Sequence, residues 1–276
     1  MADGGKAIHV GIGGWNFPPW RGTFYPAGLP QAQELAYAGG KMSAIEINAT
    51  FYGRQKPESF AKWRDTVPEG FVFAVKASRF TTHKKDLAAA GESVTAFLVS
   101  GITELGAKLG PVLWQFPPTR AFDREAFATF LGFLPAVQDG VALRHVIETR
   151  HPSFADPAYV DLLREHNVAH AIIESDKHML LADLTADFVY ARLEHNGAEE
   201  PEGYPVAALD GWAARVKAWA AGEVADDLPL VGGVASQVAR EAFVFFISGD
   251  KVRAPDAALA FRRRVDATTA FRPRVG

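Results

Sequence analysis

Short apolar runs alternate with amphipathic stretches along this chain, a pattern that predicts parallel strands joined by crossover helices. Ile8–Ile12, Phe71–Ala77, Pro111–Phe116, His145–Glu148, Val168–Ile173, Phe188–Leu193 and Ala242–Ile247 read as strands. Another strand is expected in Ala44–Gly53, where Ile45 and Ile47 share one face and Glu46, Asn48 and Thr50 the other. Helical spacing is expected over Gln31–Met42, Pro57–Val67, Arg124–Leu134, Pro157–His166, Ala208–Ala221 and Pro255–Val265. Glu92–Leu109 reads as one long helix with a stripe at Val94, Phe97, Leu98, Ile102 and Leu105. Pro57 and Pro255 open their helices at the first turn, and Asp123 is placed to cap Arg124–Leu134. The stretch 222–240 fits neither period, and 271–276 reads as a frayed tail.

Strand–helix units repeated about eight times predict one (β/α)8 TIM-like barrel over residues 1–276. Long loops are expected near 14–30, 195–207 and 222–240, with a loose end at 267–276. An open doubly wound sheet is the alternative, but Gly11-Ile12-Gly13-Gly14 has the wrong spacing for a dinucleotide loop. The 276 residues are 48% hydrophobic and 22% charged, ample for a sizeable core. The net charge of −3 argues against a dominant polyanion partner. With no cysteine, disulfides and thiolate metal sites are excluded. The first residues carry no secretory signal pattern, and no apolar run reaches the roughly 18 residues that suggest a membrane span, so a cytoplasmic protein is expected.

Barrel enzymes place their chemistry at the C-terminal ends of the strands. Here those positions carry Trp15, Glu46, Asn48, Lys76, Gln115, Glu148, Arg150, Asp176, Arg192 and Glu194. Strand parity puts Lys76 on the face of Val72 and Ala74, Glu148 and Arg150 on that of Val146, and Arg192 and Glu194 on that of Tyr190. If the small apolar partners point inward, the charges cap the barrel interior around one pocket. A carboxylate near cations stays ionised and acts as base or nucleophile, whereas one in an apolar niche acts as acid. Lys76 suits a base, a Schiff-base amine or an anion clamp, and Arg150 and Arg192 suit bidentate recognition of phosphate or carboxylate. The bland alternative makes Glu46–Arg192 and Glu148–Lys76 structural ion pairs. His83, His151 and His195 read as proton shuttles or as solvated loop residues. No HxxxH spacing supports a metal site. Trp15, Trp20, Phe24 and Tyr52 are read first as packing, then as stacking groups.

Several motifs taken together resemble the YecE-like family, domain of unknown function 72. They are Gly13-Gly14-Trp15, Trp20–Pro26, Glu46–Tyr52, Phe73–Lys76 with Thr82-His83, Gly110–Pro118 and Glu148–Ser153. The resemblance implies a TIM-like barrel and assigns no reaction. Phe246-Ile247-Ser248-Gly249-Asp250 stands where the family has Phe-Asn-Asn, Glu194 interrupts its Arg-x-His-Gly element, and Phe154 replaces its usual Trp.

The expectation is an enzyme without organic cofactor, acting by acid–base chemistry on a small anionic or polyhydroxylated molecule. Glu46 and Glu148 would be its acid/base pair and Lys76 its base or clamp. Arg150 and Arg192 would orient the ligand, with Asn48, Tyr52 and Gln115 as neutral hydrogen-bonding groups and Trp15 and His83 as further contacts. Two alternatives stand beside it: a non-enzymatic binder of a metabolite or nucleic acid, and a divalent-metal-dependent hydrolase or isomerase.

Overall fold

Eight parallel strands close into a ring in the computed structural model, which describes residues 5–225 and 227–267. They are β1 (Ile8–Gly13), β2 (Ala44–Ile47), β3 (Val72–Lys76), β4 (Leu109–Gln115), β5 (His145–Glu148), β6 (Ala169–Glu174), β7 (Phe188–Leu193) and β8 (Glu241–Phe246). Each pairs with its sequence neighbour, and β1 closes on β8 through Ile8–Ala242 and Ile12–Phe246. This is the TIM-like barrel that the apolar periodicity predicts.

Two apolar layers hold it. Between strands and helices lies an outer core containing Ile45, Ile47, Phe73, Val75, Trp114 and Ile147. Inside the barrel, Ala44, Val72, Ala74, Leu113, Val146, Tyr190, Phe243 and Phe245 pack together. The inward residues precede Glu46, Lys76, Gln115, Glu148 and Arg192 by two positions each, so the pleat carries those polar groups onto the top of the interior. At the opposite end His9 stacks on Phe243 and bonds Glu241, which also meets Arg144.

Local chemistry explains where the sequence reading differs. β2 stops at Ile47, and Ala49–Tyr52 is a helical turn, so Thr50 leaves the strand and donates to the Lys76 carbonyl at 2.7 Å. The long helix expected over Glu92–Leu109 is two pieces, Gly91–Leu98 and a 3-10 segment Ile102–Lys108. Gly101 separates them at φ +106, where a Cβ would come within 2.7 Å of the Pro57 backbone. β4 begins at Leu109, and Gly110-Pro111 shifts its register against β3, since proline has no N–H for the ladder. Val137–Gln138 and Val141–Ala142 form a small antiparallel ribbon turned at Asp139-Gly140, both at positive φ.

No helix joins β6 to β7 among the described residues; Ser175–Asp187 runs as turns and coil. Residues 228–235 of the unassigned stretch cover that place. Val231 and Gly232 donate their N–H groups to Asp183, Arg164 donates to the Gly232 and Gly233 carbonyls, and Leu228, Leu230 and Val231 pack on the outer core. The tail expected at 267–276 lies, Ala267 apart, outside the described residues. No helix among the described residues is long and apolar enough to cross a membrane.

Candidate active site at the barrel mouth

Arg192 is the hub of the mouth. Its Nε and Nη2 donate to the two oxygens of Glu46 at 3.2 Å each, and its Nη1 donates to Glu148 Oε2 at 2.5 Å. Three strands thus meet on one guanidinium, whose flat fork suits two carboxylates at once. Glu148 Oε1 accepts from Gln115 Nε2 at 2.6 Å and from Arg150 Nε at 2.8 Å. Glu46 Oε2 also accepts the Tyr190 hydroxyl at 2.6 Å. Every oxygen of the two carboxylates therefore has a donor, which is what makes wholly buried charges tolerable.

The electrostatics follow from these contacts. Burial raises the Glu148 carboxyl, but Arg192, Arg150 and Lys76 together hold it down at about 2. The Arg192 guanidinium is held charged by Glu148 and Glu46 against the cost of its burial. Burial above all, then Glu46, pushes the Tyr190 phenol well up, so it stays a donor. Of the two structural pairs considered from sequence, Glu46–Arg192 forms. Glu148–Lys76 does not; Glu148 takes the arginines instead.

Lys76 stands apart. It is only 7% exposed, its Nζ lies 4.1 Å from the Phe51 ring centre, and no carboxylate oxygen among the described residues is within 4 Å of that nitrogen. Burial lowers its pKa from 10.5 to about 8, helped by Arg192 and Arg150 and opposed by Glu46 and Glu148. A measurable fraction is therefore neutral amine at pH 7.

The remaining candidates divide. Gln115 and Arg150 join the cluster, and Asn48 sits beside it, its Nδ2 donating to the Glu46 carbonyl at 3.4 Å. Trp15 does not join: its ring packs edge-on against Trp63 and Phe73 in the outer layer. Tyr52 lies on the rim, exposed, with the Arg79 guanidinium 5.8 Å from its ring centre. His83 touches the same rim through Phe51, and burial followed by Arg79, Lys76 and Arg120 lowers its pKa. Glu46, Glu148, Arg192 and Lys76 are all buried. A separate hollow of about 280 Å³ on the flank of β2 and β3 is walled by Thr50, Gln55, Ser78, Phe80 and Phe97, among others, and by none of those four.

Two more groups lie near the cluster. Lys251, in the loop after β8, holds its Nζ 4.7 Å from the Phe17 ring and is lowered by burial. Trp20 donates to the Lys251 carbonyl at 2.9 Å, tying the aromatic loop after β1 to it. Glu194, two residues beyond Arg192, has a carboxyl raised mainly by burial and a buried Oε1 with no hydrogen-bond partner, 3.7 Å from Arg192 Nη1. Strand parity flags Glu194; nothing in the sequence marks Lys251. Among the described residues no three His, Asp or Glu side chains stand together as metal ligands.

A family model described as "Protein of unknown function DUF72" matches residues 9–274. UPF0759 protein YecE of Escherichia coli (strain K12) is 29% identical over 149 residues, 53% of this chain and 50% of that protein. UPF0759 protein YunF of Bacillus subtilis (strain 168) is 32% identical over 116 residues, 40% of each. The matches thus span about half the length of these curated relatives or less. A solved DUF72 family protein from Thermotoga maritima MSB8 superposes with a TM-score of 0.73 at 22% identity, over 95% of this chain and 100% of that one. The solved structure of SacUVDE gives 0.52 at 7% identity over 94% and 98%, a likeness of fold alone.

Proposed function

The chain belongs to the DUF72 family, and from its charged barrel mouth we propose a cytoplasmic enzyme that performs acid–base chemistry on a small anionic or polyhydroxylated molecule. The observation that carries this is Lys76, a buried amine at the end of β3 that burial and two arginines hold near a pKa of 8. A purely structural lysine gains from a carboxylate partner, whereas this one is kept partly neutral among cations, as a base or nucleophile requires. The division of labour differs from that expected of Glu46 and Glu148. With all their oxygens bonded, the two carboxylates act as positioning groups that hold Arg192 in place. Lys76 takes the proton, and Arg150, 24% exposed at its side chain, supplies donors for a substrate anion. Glu194, raised by burial, is the acid that returns a proton.

Purified protein assayed against phosphorylated sugars, glycosides and hydroxy acids tests this. Turnover of one of them, lost by at least a hundredfold in Lys76→Met, is expected. Absence of both turnover and binding across the panel, or undiminished turnover in Lys76→Met, refutes it.

A second reading has its own observation. Tyr52 and Phe80 are 65% and 66% exposed and flank Arg79, whose guanidinium lies 5.8 and 5.6 Å from their rings, with His83, Lys84 and Lys85 following in sequence. Exposed rings among cations support stacking of single-stranded nucleic acid. Binding of an oligonucleotide that weakens steeply with salt and drops in Tyr52→Ala and Phe80→Ala is expected on this reading; salt-independent binding removes it.

A further inference from the structure

We propose that Lys76 reacts covalently, forming a Schiff base with the carbonyl carbon of a small anionic aldehyde or ketone bound at the barrel mouth. This rests on the acid–base reading above and names its substrate class.

Three features suit this amine to attack on carbon. Its Nζ has no hydrogen-bond partner among the described residues and rests against the face of Phe51 at 4.1 Å, so the lone pair of the neutral amine is uncommitted. The cations come second. Arg192 gives a hydrogen bond from each of its three nitrogens to Glu46 and Glu148, whereas Arg150 turns only Nε and Nη2 to Glu148, and its Nη1 has N–H donors for the anionic end of a substrate. Third, Glu194 places a buried carboxyl with a free oxygen beside Arg192, and burial favours its protonated form.

The Lys76 lone pair adds to the carbonyl carbon as the C=O π pair moves to oxygen, and a proton passes from nitrogen to that oxygen to give a carbinolamine. Glu194 then protonates the hydroxyl, which leaves as water while the nitrogen lone pair forms the C=N bond of a protonated imine. Glu194 regains its proton from solvent. No oxidant, reductant or metal is required. The imine then draws electrons from the adjacent carbon, which activates it for proton removal or carbon–carbon cleavage.

The test uses the whole chain with pyruvate, dihydroxyacetone phosphate and glyceraldehyde 3-phosphate as probes, each treated with sodium borohydride and mapped by peptide mass spectrometry. The expected result is a reduced adduct on Lys76 with at least one probe, at least tenfold faster than on exposed Lys56 and Lys85. Its rate should rise with pH around a midpoint of about 8. Because the adduct is mapped on the native sequence, the result does not depend on a variant that folds. No adduct on Lys76, or labelling no faster than at the exposed lysines, overturns the proposal. Calorimetric binding of the same probes separates the two ideas. Binding at the mouth without trapping leaves acid–base chemistry standing and removes the imine, whereas neither binding nor trapping removes both.

Discussion

Replacing Lys76 with methionine should stabilise this protein while removing what its mouth does. The reason is the cost of holding an ammonium in the barrel. Its pKa falls from 10.5 to about 8 on folding, a difference worth about 3 kcal/mol at roughly 1.4 kcal/mol per unit. The sign follows from proton counting. Below about pH 8 the group is charged in both states and the folded state bears the whole cost. Between about 8 and 10.5 the unfolded chain still holds the proton that the folded protein has released, so stability rises with pH and the cost is relieved. Methionine matches the unbranched stem and needs no solvation. It loses the contact between Nζ and Phe51, which offsets about 1–2 kcal/mol for a desolvated cation on an aromatic face. The net expectation is a gain of about 1–2 kcal/mol at pH 7 that shrinks towards pH 10, read from urea unfolding at the two pH values. A variant less stable than the parent at pH 7, or a difference that does not change with pH, would show that folding does not disfavour the Lys76 charge.

Arg192→Met leaves Glu46 and Glu148 buried without their shared cation. A loss of about 3–5 kcal/mol in urea unfolding is expected, and a loss under about 1 kcal/mol contradicts the hub described for that residue. Acid should act through Glu148. Its carboxyl is held at about 2 in the fold against an ordinary 4.5, so its contribution is full above pH 4.5 and is lost as pH falls towards 2. Glu148→Gln should flatten that limb of the stability curve, and an unchanged slope counts against the assignment. Gly11→Ala should yield no folded protein by circular dichroism, because the added Cβ would sit 1.9 Å from the Ala44 carbonyl oxygen where β1 meets β2. A folded Gly11→Ala variant with native stability would show that this strand pair can move apart.

Much of the barrel is written in the chain because strand and helix periods are local. His145–Glu148 and Phe188–Leu193 have the boundaries their apolar runs predict. Parity then carried Glu46, Lys76, Glu148 and Arg192 to one end, since a pleated strand allows only two directions. The losses have equally physical causes. Glu92–Leu109 reads as a helix because its apolar stripe crosses Gly101 unbroken, yet the close approach of Pro57 that demands glycine there is a tertiary contact. Asp139-Gly140 is a favoured hairpin turn pair, but strands of two residues on each side leave no run long enough to read as a hairpin. Residues 228–235 have no period because they follow the surface left bare between β6 and β7. At the site, sequence can place charges near one another but cannot pair them. That Glu148 takes Arg150 and Arg192, leaving Lys76 against Phe51, depends on distances between strands far apart in the chain. Trp15 reads as a mouth residue by position, but its ring turns to Trp63.

The chemistry of the mouth depends on the state of one nitrogen. Titration of the Lys76 side chain by NMR, in protein labelled at the lysine Cε and assigned by loss of the signal in Lys76→Arg, reads that state directly. A midpoint of about 8 is the expected result; a midpoint at the ordinary 10.5 of a solvated lysine would contradict it.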